Sequence, residues 1–220
     1  MKKYELVIFD VDGTLLDTTE GVLSAVKYTI AQFDFAPLSD AQLCRFIGPP
    51  IQNSFADAYG LKGDILQDIA TVFRNEYKEH TLLQARPYDG IYDVFAGLRE
   101  RKVKTAIATY KREDYALTLL KYFHFDSYTE IMHGADHENR LKKSDIIKLC
   151  IHESGVSDLS QVLMVGDTDN DAQGAHALGV DFLAVSFGFG YQKGEKPDQY
   201  PCIAVADTTQ EILQRIDEVC

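Results

Sequence analysis

Two aspartates, Asp10 and Asp12, stand two residues apart directly after the apolar run Leu6-Val7-Ile8-Phe9, and Gly13-Thr14 follow them. A second acidic group, Gly166-Asp167-Thr168-Asp169-Asn170-Asp171, follows apolar Val162–Val165. Thr109 closes a third apolar run, Val103–Ala108. Lys143 opens an apparent helix with Asp145 in its first turn, and Lys142 is the alternative lysine for the same place. These residue types together fit phosphoryl transfer. Several carboxylates hold Mg2+, a hard cation that prefers oxygen ligands. With phosphate charge so neutralised, one carboxylate can attack phosphorus. A second, two residues on, can protonate the leaving oxygen and later activate water. A hydroxyl and a lysine then hold the other phosphate oxygens.

Such residues act only if something brings them together. The runs Tyr4–Phe9, Val103–Ala108, Val162–Val165 and Val180–Val185, with a weaker one at Cys202–Val205, read as strands buried on both faces. Helical stripes alternate with them: Ile91, Val94, Phe95, Leu98; Ala116, Leu119, Leu120, Phe123; and Ile212, Leu213, Ile216, Val219. The alternation predicts an α/β fold, a Rossmann-like parallel sheet with helices on both faces. In such sheets ligands bind beyond the carboxyl ends of the strands, where Asp10, Thr109 and Asp167 are placed. One connection is too long for a loop. From Asp17 to about Leu83 the stripes are helical, with Val22, Val26, Ile30 and Phe33 on one face and Ile65, Ile69, Val72, Phe73 and Tyr77 on another. The predicted organisation is a catalytic core of residues 1–17 and 84–220, and a small all-helical cap of residues 18–83 inserted in it, with residues 85–90 as the return hinge.

Bland readings compete at several of these positions. Asp and Gly are common turn formers, so the Asp10–Gly13 segment alone would carry little. Asp167, Asp169 and Asp171 alternate as in a calcium loop, but such a loop needs Gly at its sixth position and Glu at its twelfth, and Ala172 and Leu178 stand there. His133 and His137 are four apart, with Gly134 between them and no third ligand, so a solvated loop is expected rather than a zinc site. The four cysteines, Cys44, Cys150, Cys202 and Cys220, are scattered, which points to reduced thiols, two or three of them in the core. The net charge of −12 disfavours a nucleic-acid partner. No apolar run is long enough for a membrane span, and no secretory leader is seen, so the cytoplasm is the expected compartment.

The segment Phe9-Asp10-Val11-Asp12-Gly13-Thr14-Leu15-Leu16-Asp17-Thr18 resembles the first motif of the haloacid dehalogenase superfamily of phosphatases. Thr109 resembles its second motif, Lys143 its third without the proline many members carry, and Gly166–Asp171 its fourth. Arg45-Phe46-Ile47-Gly48-Pro49-Pro50 and Ser186-Phe187-Gly188-Phe189-Gly190 are similar to the phosphoglycolate phosphatase-like and 5′-nucleotidase-like subgroup. The resemblance implies that Asp10 is the nucleophile and forms an aspartyl-phosphate. Asp12 is then acid and base, with its backbone carbonyl on Mg2+. Asp10, Asp167 and Asp171 complete the metal site, and Thr109 and Lys143 bind phosphate. Arg45 and Gly48 are candidate substrate contacts in the cap, Arg45 being equally readable as a surface ion-pair residue. Thr109 is followed by Tyr110-Lys111 where many members have Asn-Lys. The implied substrate is a small phosphate ester of phosphoglycolate or nucleotide type. Asp12 argues against dehalogenase chemistry. A sugar-phosphate mutase and a non-enzymatic phospho-receiver are the alternatives.

Overall fold

The computed structural model describes residues 4–138 and 140–219. The chain divides into two compact units: the described residues up to Asp17 together with those from Pro87 onward, and Thr18–Arg86. Asn139 and Cys220 lie outside the described residues.

The first unit holds a six-stranded sheet. Its strands are β1 (Leu6–Phe9), β4 (Lys104–Arg112), β5 (Met132–Ala135), β6 (Val162–Gly166), β7 (Asp181–Val185) and β8 (Ala204–Ala206). Two short strands, β2 (Leu16–Asp17) and β3 (Arg86–Pro87), stand where the chain leaves the first unit and returns to it. The sheet order is β5-β4-β1-β6-β7-β8, with every pairing parallel. The α/β reading therefore holds, with one strand more than the apolar runs revealed. β5 escaped because Met-His-Gly-Ala is a short edge segment without a Val or Ile. His133 is accordingly on a strand and not in a solvated loop; its Nε2 lies 2.7 Å from Glu153 Oε2.

Leu6, Val7, Ile8 and Phe9 are all buried, as strands covered on both faces must be. Alternate side chains go to opposite layers. Leu6, Ile8, Ala106, Met164 and Phe182 pack with Ile146, Ile147, Cys150, Ala172 and Ala175, which come from α7 (Lys143–Ser154) and α8 (Asp169–Leu178). On the other face Phe9 meets Phe95 of α5 (Ile91–Glu100) at 4.9 Å between ring centroids. The remaining helices of this unit are α6 (Glu113–Tyr122) and α9 (Thr209–Val219). Of the described cysteines only Cys150 is buried; Cys44 is exposed and Cys202 half-buried, fewer in the core than expected.

The second unit is helical: α1 (Thr19–Gln32), α2 (Asp40–Leu43), α3 (Ile51–Tyr59), α4 (Ile65–Glu76) and a five-residue π-turn, Tyr77–Thr81. Val22, Val26 and Ile30 bury one face of α1, while Phe46 packs edge-on against Phe55 at 5.0 Å. Among the described residues no helix is long and apolar enough to cross a membrane.

Candidate active site

Parallel pairing aligns the ends of β1, β4 and β6 on one edge, and the candidate residues are found there. Asp10 is the first residue past β1, and its N–H donates to the Val165 carbonyl of β6 at 3.0 Å. The chain then turns tightly: the Val11 carbonyl accepts from the N–H groups of Thr14, Leu15 and Leu16. Gly13 sits at φ 79°, and a Cβ there would collide with the Asp167 carboxylate. Both facts require glycine.

Asp167 follows β6 directly. Its Oδ2 accepts from the N–H groups of Phe189 (2.7 Å) and Gly190 (3.1 Å). Tyr191 extends the same loop, its N–H on the Asp167 carbonyl (3.0 Å) and its hydroxyl on Asp169 Oδ1 (2.9 Å). The loop therefore lies flat on the end of β6, and a Cβ on Gly188 would run into the Gly13 carbonyl. Asp171 occupies the third position of α8, where a carboxylate satisfies open amides and favours the helix dipole. Its Oδ2 accepts from the Thr168 N–H (3.1 Å) and hydroxyl (2.7 Å), and its Oδ1 faces Lys143.

Lys143, the first residue of α7, reaches inward with its side chain only 4% exposed. Its Nζ lies 2.6 Å from both Asp10 Oδ1 and Asp171 Oδ1. Lys142 caps the helix and is exposed, with its backbone N–H on Asp145 Oδ2 at 2.9 Å. The lysine inside the site is therefore Lys143.

Asp10, Asp167 and Asp171 are all buried and offer oxygens within 4.8 Å of one another. Three carboxylates against one ammonium leave two negative charges in a buried place. Burial pushes the Asp10 carboxyl up to about 7, Lys143 opposes the rise, and Asp171 and Asp12 add to it. Burial, then Asp171 and Asp10, likewise hold Asp167 well above the usual carboxylate range. Burial by itself would lower Lys143, but Asp10 and Asp171 keep it charged and above its ordinary value. Burial comes first for both carboxyls, and the crowding of three carboxylates about a single cation adds to it. Asp167 Oδ1 is moreover buried with no hydrogen-bond partner. Buried carboxylate oxygens without partners are costly, and a divalent cation would supply both the missing contact and the missing charge. The donor set is all oxygen, as a hard cation requires.

Thr109 is buried at the same edge, and its hydroxyl accepts from the Lys111 N–H at 3.2 Å, which leaves the hydroxyl proton to donate. β4 does not end at Thr109. It continues to Arg112 through a break in its register with β5 after Ala108. Asp12 lies beside the carboxylate cluster in sequence but not among its three members, and its Oδ1 is 3.1 Å from Lys111 Nζ. The geometry therefore gathers Asp10, Asp12, Thr109, Lys143, Asp167 and Asp171 in the first unit. Arg45 and Gly48 belong to the second, Arg45 exposed in the turn Cys44–Phe46 and Gly48 at φ 102°. Two features escaped the sequence reading. Lys111 stood in the sequence only beside Tyr110, which departs from the Asn of many members, and no role was read for it; the amides of Phe189 and Gly190 carry no side-chain signal at all.

Residues 7–185 match the family model described as haloacid dehalogenase-like hydrolase. The chain is 28% identical to a 5′-nucleotidase from Pseudomonas aeruginosa, over 90% of this chain and 91% of that protein. It is 31% identical to a phosphoglycolate phosphatase from Rhodospirillum rubrum, over 83% of this chain and 80% of that protein. A solved structure of a haloacid dehalogenase-like family hydrolase from Streptococcus pneumoniae superposes with a TM-score of 0.85 at 26% identity, covering 97% of this chain and 99% of that one.

Proposed function

This chain belongs to the haloacid dehalogenase-like hydrolase family and is a phosphatase, and we propose from that premise that it hydrolyses a small phosphate monoester with Mg2+ through an aspartyl-phosphate on Asp10. The observation that carries the proposal is the buried cluster of Asp10, Asp167 and Asp171 around Lys143, with three crowded carboxyl groups against one cation and the orphaned Asp167 Oδ1. Asp10, Asp167, Asp171 and the Asp12 carbonyl would hold Mg2+. When bound, the ion neutralises the carboxylates and the incoming phosphate.

The protein's own residues do the rest. Asp10 attacks phosphorus through a carboxylate oxygen; one O–P bond forms as the ester O–P bond breaks. Asp12 gives its proton to the leaving oxygen, and the alcohol departs neutral. Asp12 then takes a proton from water, whose oxygen attacks the acyl-phosphate, freeing phosphate and restoring Asp10. Lys143 holds the position and charge of Asp10. Thr109 donates its hydroxyl proton to a phosphoryl oxygen.

Residues 18–83 act as a helical cap over this chemistry, with Arg45 and Gly48 as substrate contacts. The phosphoglycolate- and nucleotide-type names of the relatives support a small carboxylated or nucleoside phosphate as substrate. The acidic balance supports a protein without a nucleic-acid partner. The test is phosphate release from a panel of esters with Mg2+ and with EDTA. Mg2+-dependent release from one ester supports the reading. Release unaffected by EDTA, or a phosphoryl group returned to sugar instead of water, sinks it.

A further inference from the structure

We propose that Lys111 is a positioning residue that fixes the carboxylate of Asp12 at the place where it meets the leaving group and then water. The inference rests on the reading of Asp12 as acid and base given above. The register of β4 against β5 breaks between Ala108 and Arg112, so residues 109–111 bulge out of the ladder. Bulges of this kind re-aim side chains next to functional sites. Here the bulge closes on itself, because the Thr109 hydroxyl accepts from the Lys111 N–H at 3.2 Å while Thr109 is only 1% exposed. The backbone of the lysine is thus tied to a buried residue. Its Nζ ends 3.1 Å from Asp12 Oδ1, with side chains 9% and 22% exposed.

The neighbouring groups of the site have anchors of their own. Asp167 is fixed by two loop amides, and Asp171 by Thr168. Lys143 is committed to Asp10 and Asp171, both at 2.6 Å. The backbone of Asp12 is held by its bridge to Leu16, and Lys111 reaches its carboxylate. A carboxylate that serves the leaving oxygen and then a water must be well placed, since an error of about 1 Å costs about a hundredfold. The bland alternative is a stabilising ion pair. A pair that only stabilises the fold would affect every substrate alike.

The experiment compares an alkyl phosphate with p-nitrophenyl phosphate, whose leaving group departs without a proton. Lys111→Met should lower kcat/KM for the alkyl ester by about thirtyfold and for the aryl ester by no more than about threefold. Lys111→Arg should recover the alkyl ester to within about fivefold of wild type, because the cation is kept. In an Asp12→Asn background, Lys111→Met should change the residual rate by less than about twofold. If Lys111→Met does not fold by circular dichroism, Lys111→Gln takes its place with the same expectation. Equal losses on both esters, or losses that multiply with Asp12→Asn, would mean that Lys111 binds phosphate or only supports the fold, and would overturn the inference alone. A wild-type chain that releases no phosphate from either ester would overturn the reading of the site, and the inference with it.

Discussion

Most candidate residues of the first unit are buried and held from several directions, whereas those of the second unit are exposed. Lys143 is 4% exposed and touches two carboxylates, and Asp167 is fully buried on a cradle of amides. Arg45 is exposed in a single 3-10 turn, and Gly48 has open space where a Cβ would project. The contrast follows the two demands on such an enzyme. Every phosphate ester presents the same phosphoryl group, so the groups that act on it can be set rigidly at strand ends. The rest of the substrate varies, and residues that recognise it must be adjustable without disturbing the core.

The largest expected effect breaks the comparison on the rigid side. Asp10→Asn should lower turnover by about a thousandfold or more and leave circular dichroism and Tm close to wild type, since the amide has the same shape. Retained activity above a few per cent would remove Asp10 as nucleophile. Next comes the pair of adjacent lysines. Lys143→Ala strands two buried carboxylates and should cost about 3–5 kcal/mol of stability in denaturant unfolding together with most of the activity. Lys142→Ala, one residue away on the surface, should stay within about 0.5 kcal/mol. Equal losses from the two would mean that burial and partners do not set the difference.

The crowded carboxylates also predict a pH dependence. In the metal-free fold, Asp10 keeps its proton up to about 7, whereas the unfolded chain loses it in the ordinary carboxylate range, near 3.8. The folded state therefore binds more protons in that window. Metal-free stability should fall as pH rises through it, and Asp167 acts in the same direction. Mg2+ must displace those protons, so its stabilising increment should grow with pH. Thermal unfolding with EDTA and with excess Mg2+ at about pH 5 and about pH 8 checks this; a larger increment at the lower pH would contradict the charge argument.

How far the sequence revealed the site follows the same division. Asp10 and Asp167 were legible because each follows an apolar run that ends as a parallel strand on one edge, and Thr109 because it closes the apolar run of β4, although that strand continues to Arg112. Lys143 was legible only as one of two lysines, because a helix start does not say which side chain turns inward; the contact with Asp10 decides it. The β5 strand was not legible, since Met132–Ala135 lacks the β-branched residues that mark strands. Lys111 was hidden because its position depends on a register break, which no periodicity records. The fold was read from many weak signals that agree, whereas a single contact has only one.

The smallest expected effect falls on the second unit. Arg45 is exposed, and its replacement removes no buried contact, so Arg45→Ala should leave Tm unchanged and stability within about 0.5 kcal/mol. If it contacts the variable part of the substrate, the loss should appear in KM, by about three- to tenfold, for an ester that carries a carboxylate or a second anionic group. The rate with p-nitrophenyl phosphate, which offers nothing for the guanidinium to hold, should be unaltered. The two esters are needed because either alone is ambiguous. A loss on both would place Arg45 in the phosphoryl chemistry and erase the division between the units. No loss on either would leave Arg45 as a solvated surface charge and remove it as a substrate contact. Only a split between the esters keeps the rigid and adjustable halves of the mechanism apart.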